Sequence, residues 1–232
     1  MAQVSRRTAF TGSALTRLLA RLADIDVSEP RHAFADRLSQ WLGWADAISL
    51  SSVLNGSPAA APAGLRAGRG GEEGECIRLR GVLTKAIAED GALATEKERS
   101  ETAANFSPYR RHYLARQQTM EVAIGPLRER LRASLAGRSP AMAQLAAVDA
   151  VMEQALGAQE HDLLSTVPGL LEKHFVRLRQ AHQGLPEEPE GGAPPVAWQD
   201  VFCKDMQAVL LDELELRFEP VEGLLEALRK SS

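Results

Sequence analysis

Residues 107–140 read SPYRRHYLARQQTMEVAIGPLRERLRASLAGRSP, and the fold turns on how this stretch is read. Tyr113, Met120, Ile124, Leu127, Leu131 and Leu135 recur at helical spacing and form one apolar stripe. Ser107 is a capping residue and Pro108 suits a first turn, so a long helix is expected to start there. Pro126 is expected to kink it, because it lacks an amide proton and its ring strikes the carbonyl of Val122. Gly137 ends the stripe, and Ser139-Pro140 repeats the cap-then-proline start. So short a turn makes the two flanking helices antiparallel neighbours.

The same pattern extends outward from this hairpin. Downstream, Leu145, Val148, Met152, Leu156, Leu163, Val167, Leu170, His174 and Leu178 are expected inward, with Val167-Pro168-Gly169 marking a bend or a break. A last helix over 198–229 presents Phe202, Met206, Val209, Leu210, Leu214, Phe218, Val221, Leu225 and Leu228, with Pro220 as a second expected kink. Upstream, a helix over 72–101 places Cys76, Leu79, Leu83 and Ile87 inward. A first helix over 12–23 carries Leu15, Leu18, Leu19 and Leu22. Between these two, one helix capped by Ser28 is expected to reach about Leu54, with Phe34, Leu38, Trp41, Ala45 and Ile48 as a short heptad seam.

Composition agrees with helices throughout. Ala and Leu fill 67 of the 232 positions, against 18 for Val and Ile and 5% for the aromatics. A sheet needs more of the latter two groups. The fold class expected is all-α: an elongated antiparallel helical bundle with coiled-coil character and two flexible linkers. Its divisions are an N-terminal helical pair (1–55), a Gly/Pro/Ala-rich linker (56–71), a central long-helix bundle (72–183), a Pro/Glu-rich linker (184–197) and an acidic helix packing on the bundle (198–232). No repeat of 20 to 50 residues organises the chain, which separates it from helical solenoids.

The net charge of −4 is mild, but it is unevenly spread. Residues 106–138 hold seven Arg against two Glu, and residues 198–232 hold eight acidic side chains against four basic ones. Opposed blocks of this kind are expected to attract each other within the fold or between chains. Arg6-Arg7 resembles a twin-arginine export signal, but Arg17 and Arg21 interrupt the apolar run that such a signal needs. No run approaches the length of a membrane span. The expected address is the cytoplasm, with Cys76 and Cys203 as reduced structural thiols.

Catalytic patterns are sparse. Glu29-x-x-His32 has the spacing of a helical carboxylate-histidine metal site, but only once, so neither a metal nor another cofactor is expected. His174 lies on an apolar face and reads as a satisfied core residue. Phosphate loops, dinucleotide glycine motifs and nucleophile elbows are absent from the sequence. Tyr109-Arg110-Arg111-His112-Tyr113, with Arg116, Arg128, Arg130 and Arg132 beyond it, is the one stretch suited to tracking phosphates. Trp41 and Trp44, three residues apart, cannot both point into one narrow seam, so one is expected at an edge or an interface. The candidate partner-contact residues are therefore Trp41, Trp44, Tyr109, Arg110, Arg111 and Arg116.

Arg6-Arg7-Thr8-x-Phe10, Leu15-Thr16-Arg17-Leu18-Leu19-Ala20-Arg21-Leu22 and Asp36-Arg37-Leu38-Ser39-Gln40-Trp41-Leu42-Gly43-Trp44 resemble a Gram-negative bacterial family catalogued only as a domain of unknown function. Phe106-Ser107-Pro108-Tyr109 extends the resemblance toward the whole chain. It implies a small helical protein encoded near envelope components of the proton-channel and OmpA-like kinds, and it brings no catalytic residue. The expected function is a non-enzymatic cytoplasmic adaptor or scaffold with protein partners, those envelope components among them, and with self-association. A nucleic-acid binder using the Arg-rich helix and a helical enzyme with an unrecognised site are the alternatives.

Overall fold

The computed structural model describes residues 13–25, 34–56, 71–90, 105–183 and 198–231. These form α1 (Ala14–Ala23), α2 (Phe34–Trp41), α3 (Trp44–Asn55), α4 (Gly71–Asp90), α5 (Ser107–Ala136), α6 (Pro140–Ser165), α7 (Val167–Gln183) and α8 (Trp198–Lys230). Among the described residues there is no strand, and the all-α expectation holds. The 56–71 and 184–197 linkers, Ser28, Glu29 and His32 lie outside or at the margin of the described residues.

Helix α5 keeps its expected stripe, with Tyr113, Met120, Ile124, Leu127, Leu131 and Leu135 all buried. It runs through Pro126 without a break, and α8 runs through Pro220. Pro126 and Val122 are both exposed, so solvent can take the place of the missing amide at the Val122 carbonyl. Helix α8, about 50 Å long at 1.5 Å per residue, buries Phe202, Met206, Val209, Leu210, Leu214, Phe218, Val221, Leu225 and Leu228 as its spacing requires.

These two helices lie side by side and parallel. Phe106 and Tyr109, at the start of α5, meet Phe202 near the start of α8, with ring centroids 6.1 and 5.0 Å apart. Ser139 caps α6 by accepting from the Met142 amide at 3.2 Å, and α6 turns back along α5. The helix is interrupted at Thr166, at the expected bend, and α7 continues the return. Phe175 on α7 thereby comes back to Phe106 and Phe202, at 5.7 and 5.2 Å. Helix α4 lies antiparallel on α8: Gln207 donates to the Ile87 carbonyl at 3.1 Å, and Arg229 to Glu73 at 2.5 Å. Helix α1 packs through Leu15, Leu18 and Leu22 against α7 and α8.

Two expectations fail. The single helix to Leu54 is two, because Gly43 interrupts it and its amide donates to Asp46 Oδ2 at 3.1 Å, a capping contact that starts α3 anew. The heptad seam goes with it: Ala45 and Ile48 are exposed, and α3 buries none of its residues. In α6 the expected inward face is also not followed. Leu145 and Leu163 are exposed, while Ala146, Ala155 and Leu164 are buried.

Candidate functional site

Midway along the α5–α8 pair, four polar side chains interrupt the apolar contact. Tyr113 and Gln117 stand one turn apart on α5, and Glu213 and Arg217 stand one turn apart on α8. The Tyr113 hydroxyl donates to Glu213 Oε2 at 2.5 Å, and Gln117 Nε2 donates to both carboxylate oxygens at 3.1 and 3.0 Å. Arg217 Nε donates to Glu213 Oε1 at 3.0 Å, with Nη2 at 2.9 Å from the same oxygen. Glu213 is 0% exposed, and these donors take the place of water around its carboxylate. Burial, and then the Glu213 charge, pushes the Tyr113 hydroxyl far above the usual tyrosine range. The group acts as a lock that fixes the register of α5 on α8, and its carboxylate is fully occupied.

From this lock Arg217 reaches outward. Its Nη1 stands 3.7 Å from Glu160 Oε1 on α6, at the edge of a cleft of about 450 Å3 between α5, α6 and α8. Ile124, Leu156 and Leu216 supply apolar lining, Gly125 and Gly157 leave their sides bare, and Glu121, Glu160 and Glu219 stand among its exposed residues. Trp41, from the end of α2, also lines it.

Three of the six arginines of α5 are paired inside the fold. Arg128 grips Asp149 with Nε at 2.9 Å and Nη2 at 2.7 Å, and Arg132 donates to Glu153 at 2.5 Å and Asp149 at 3.1 Å. Arg130 pairs with Glu75 on α4. Of the Arg-rich block, these three arginines turn to α6 and α4 and not to the acidic helix α8. The acidic helix α8 finds its cation on α4 instead, where Arg80 holds Glu222 at 2.5 Å and Glu215 at 3.4 Å. Helices α5 and α8 meet through apolar surface and the lock.

The six candidate contact residues do not form one surface. Tyr109 is half-buried and packs edge-on against Phe202, so it belongs to the aromatic end of the core. Arg110 and Arg111 are exposed beside it, and Arg116 is half-buried. Trp41 is half-buried at the cleft. Trp44, the first residue of α3, is 84% exposed, and Ile48 one turn later is 54% exposed. Ala47 between them, and Ser51 and Ser52 one turn beyond Ile48, complete an outward face. Gln144 on α6 donates to the Val53 and Leu54 carbonyls at 3.2 and 2.8 Å, so this face is held in place from behind.

His174 is the buried, satisfied residue that its position implied. Its Nε2 lies 2.7 Å from Asp205 Oδ2, and Arg177 Nη2 lies 3.1 Å from its Nδ1 while also donating to the Leu22 carbonyl. Cys76 and Cys203 are not joined in a disulfide. Cys76 is buried, and burial followed by the Glu75 charge pushes its thiol upward. Among the described residues, no group of three or more His, Cys, Asp or Glu is placed to hold a metal ion. Among the described residues, no helix is long and apolar enough to cross a membrane.

The sequence lacked any positional signal for the lock beyond two polar residues, Gln117 and Glu213, set among the apolar positions of their helices. Comparison with known proteins gives one result. The family described as "Protein of unknown function (DUF3348)" matches residues 1–230. No curated protein matches, and no solved structure matches.

Proposed function

We propose that the chain, which belongs to the DUF3348 family, is a non-enzymatic helical adaptor or scaffold that takes a protein partner on the outer face of α3. One observation carries this reading: Trp44 and Ile48 point away from a helix that buries none of its own residues. Large exposed aromatics concentrate binding energy at interfaces, and an apolar face held rigid costs little entropy to dock. The mid-bundle carboxylates support the reading from the other side, since Glu213, Asp149 and Glu153 are engaged with arginines. The resemblance noted above suggests an envelope complex with proton-channel-like and OmpA-like members as the partner, approached from the cytoplasm.

The test is co-purification from the native host after gentle detergent extraction, with the tagged full-length protein and its Trp44→Ala/Ile48→Ala variant side by side. A partner recovered near stoichiometry with the wild type and lost with the variant is the expected result. Equal recovery with both proteins contradicts the α3 surface. Recovery of nucleic acid that depends on Arg110 and Arg111 and weakens steeply with salt favours the phosphate-binding alternative. A doubled mass in solution without other protein assigns the face to a second copy of the chain.

A further inference from the structure

The cleft between α5, α6 and α8 is open because both α5 and α6 carry glycine where they border it. A Cβ built at Gly125 or Gly157 meets no heavy atom within 4 Å, yet both residues are half-buried. The other helical glycines with such open space lie on exposed faces. Glycine in mid-helix weakens the helix, and a methyl group at either position fits without a clash. Packing therefore asks for neither residue, and together they preserve a hollow of about 450 Å3.

The chemistry of the hollow is one-sided. Four glutamates line it against two arginines and His161, and of the four the arginines reach Glu153 and Glu160. Arg128 spends Nε and Nη2 on Asp149, with Nη1 3.3 Å from Glu153. Arg217 spends Nε and Nη2 on buried Glu213. The exposed Glu121 and Glu219 thus face the opening with negative charge uncompensated by the lining. An apolar floor receives an aliphatic stem, and a carboxylate rim receives a cationic head. An anion entering the same space meets like charge.

We propose that this cleft binds an organic cation on an apolar stem, an alkylammonium or guanidinium, supplied in the assembled adaptor by a lysine or arginine side chain of the partner. The site stands on its own geometry; only the partner as the source of the cation rests on the adaptor reading.

Calorimetric titration of the full-length protein at low salt tests it with three probes: a capped amphipathic peptide of leucine and lysine, the same peptide with glutamate for lysine, and spermidine. Two variants separate shape from charge. Gly157→Leu fills the hollow without changing a charge, and Glu121→Gln/Glu219→Gln removes charge without filling it. The lysine peptide is expected to bind, the glutamate peptide not, and each variant to weaken binding about tenfold or more. Gly157→Leu is expected to leave the melting temperature unchanged or raised; if it falls, Gly157→Ala and Gly125→Ala together take its place. Lysine-peptide binding that Gly157 substitution leaves untouched overturns the site, as does failure of both cations to bind. Spermidine binding without peptide binding overturns the partner as the source and leaves a free amine as the ligand. The adaptor reading is judged separately, by whether Trp44 and Ile48 are needed for co-purification.

Discussion

Helices α8 and α3 are both rich in apolar residues, and the fold treats them in opposite ways. Helix α8 buries 11 of its 33 residues, whereas α3 buries none of its 12. In α8 the large side chains fall on one stripe from Phe202 to Leu228. In α3, Trp44, Ile48, Leu50, Val53 and Leu54 are spread around the axis, so no single neighbour can cover them. Apolar content does not bury a helix; the arrangement of that content does. What α8 spends on the core, α3 leaves available for contact.

The sharpest way to break this contrast is at the lock. Glu213→Ala takes the acceptor from the buried Tyr113 hydroxyl and the nearest one from Gln117 and Arg217, and is expected to cost about 3–5 kcal/mol in urea unfolding. A loss below about 1 kcal/mol means that the lock does not fix α5 on α8. Tyr113→Phe removes one of these bonds and is expected to cost about 1–2 kcal/mol. It also carries a pH signature. The folded hydroxyl titrates well above its unfolded value of about 10. Its contribution is therefore complete below about pH 10 and falls as pH rises beyond, because the unfolded chain loses a proton that the folded chain keeps. Unfolding midpoints at rising alkaline pH are expected to decline more steeply for the wild type than for Tyr113→Phe. Parallel slopes contradict the assignment.

Smaller effects are expected away from the lock. Gly157→Ala is expected to gain about 0.5–1 kcal/mol, because a better helix former enters a position with open space. A loss of stability there means that the hollow serves packing after all. Trp44→Ala is expected to change stability by less than about 0.5 kcal/mol while abolishing partner capture. A large destabilisation makes Trp44 a core residue and removes the reason to place a partner on α3.

The long stripes of α5 and α8 were legible because their apolar residues keep helical spacing and few other positions compete. The break at Gly43 was legible only in part: Asp46, three residues on, is the capping signal, but the apolar positions on either side read as one continuous seam. The face of α6 was misread because Leu145 and Leu163 carry the hydrophobic signal, whereas the core takes Ala146 and Leu164, each one residue further on and so about 100° around the axis. Gln117 and Glu213 fall on buried faces, but a polar residue there gains its meaning only when the opposite helix supplies a matching donor or acceptor. That pairing lies 96 positions away in sequence and depends on the register of two parallel helices. The cleft was illegible for the same reason, since Gly125, Gly157 and Trp41 meet only in the fold.

Hydrogen exchange tests the central claim most directly, read on the protein alone and on the assembly recovered from its host. Alone, the amides of α5 and α8 are expected to exchange only through global unfolding, and those of α3 through local opening. In the assembly, new protection is expected over residues 44–55, with α5 and α8 unchanged. Protection of α3 equal to that of α5 and α8 in the isolated protein contradicts the account, as does an assembly that leaves α3 as open as before.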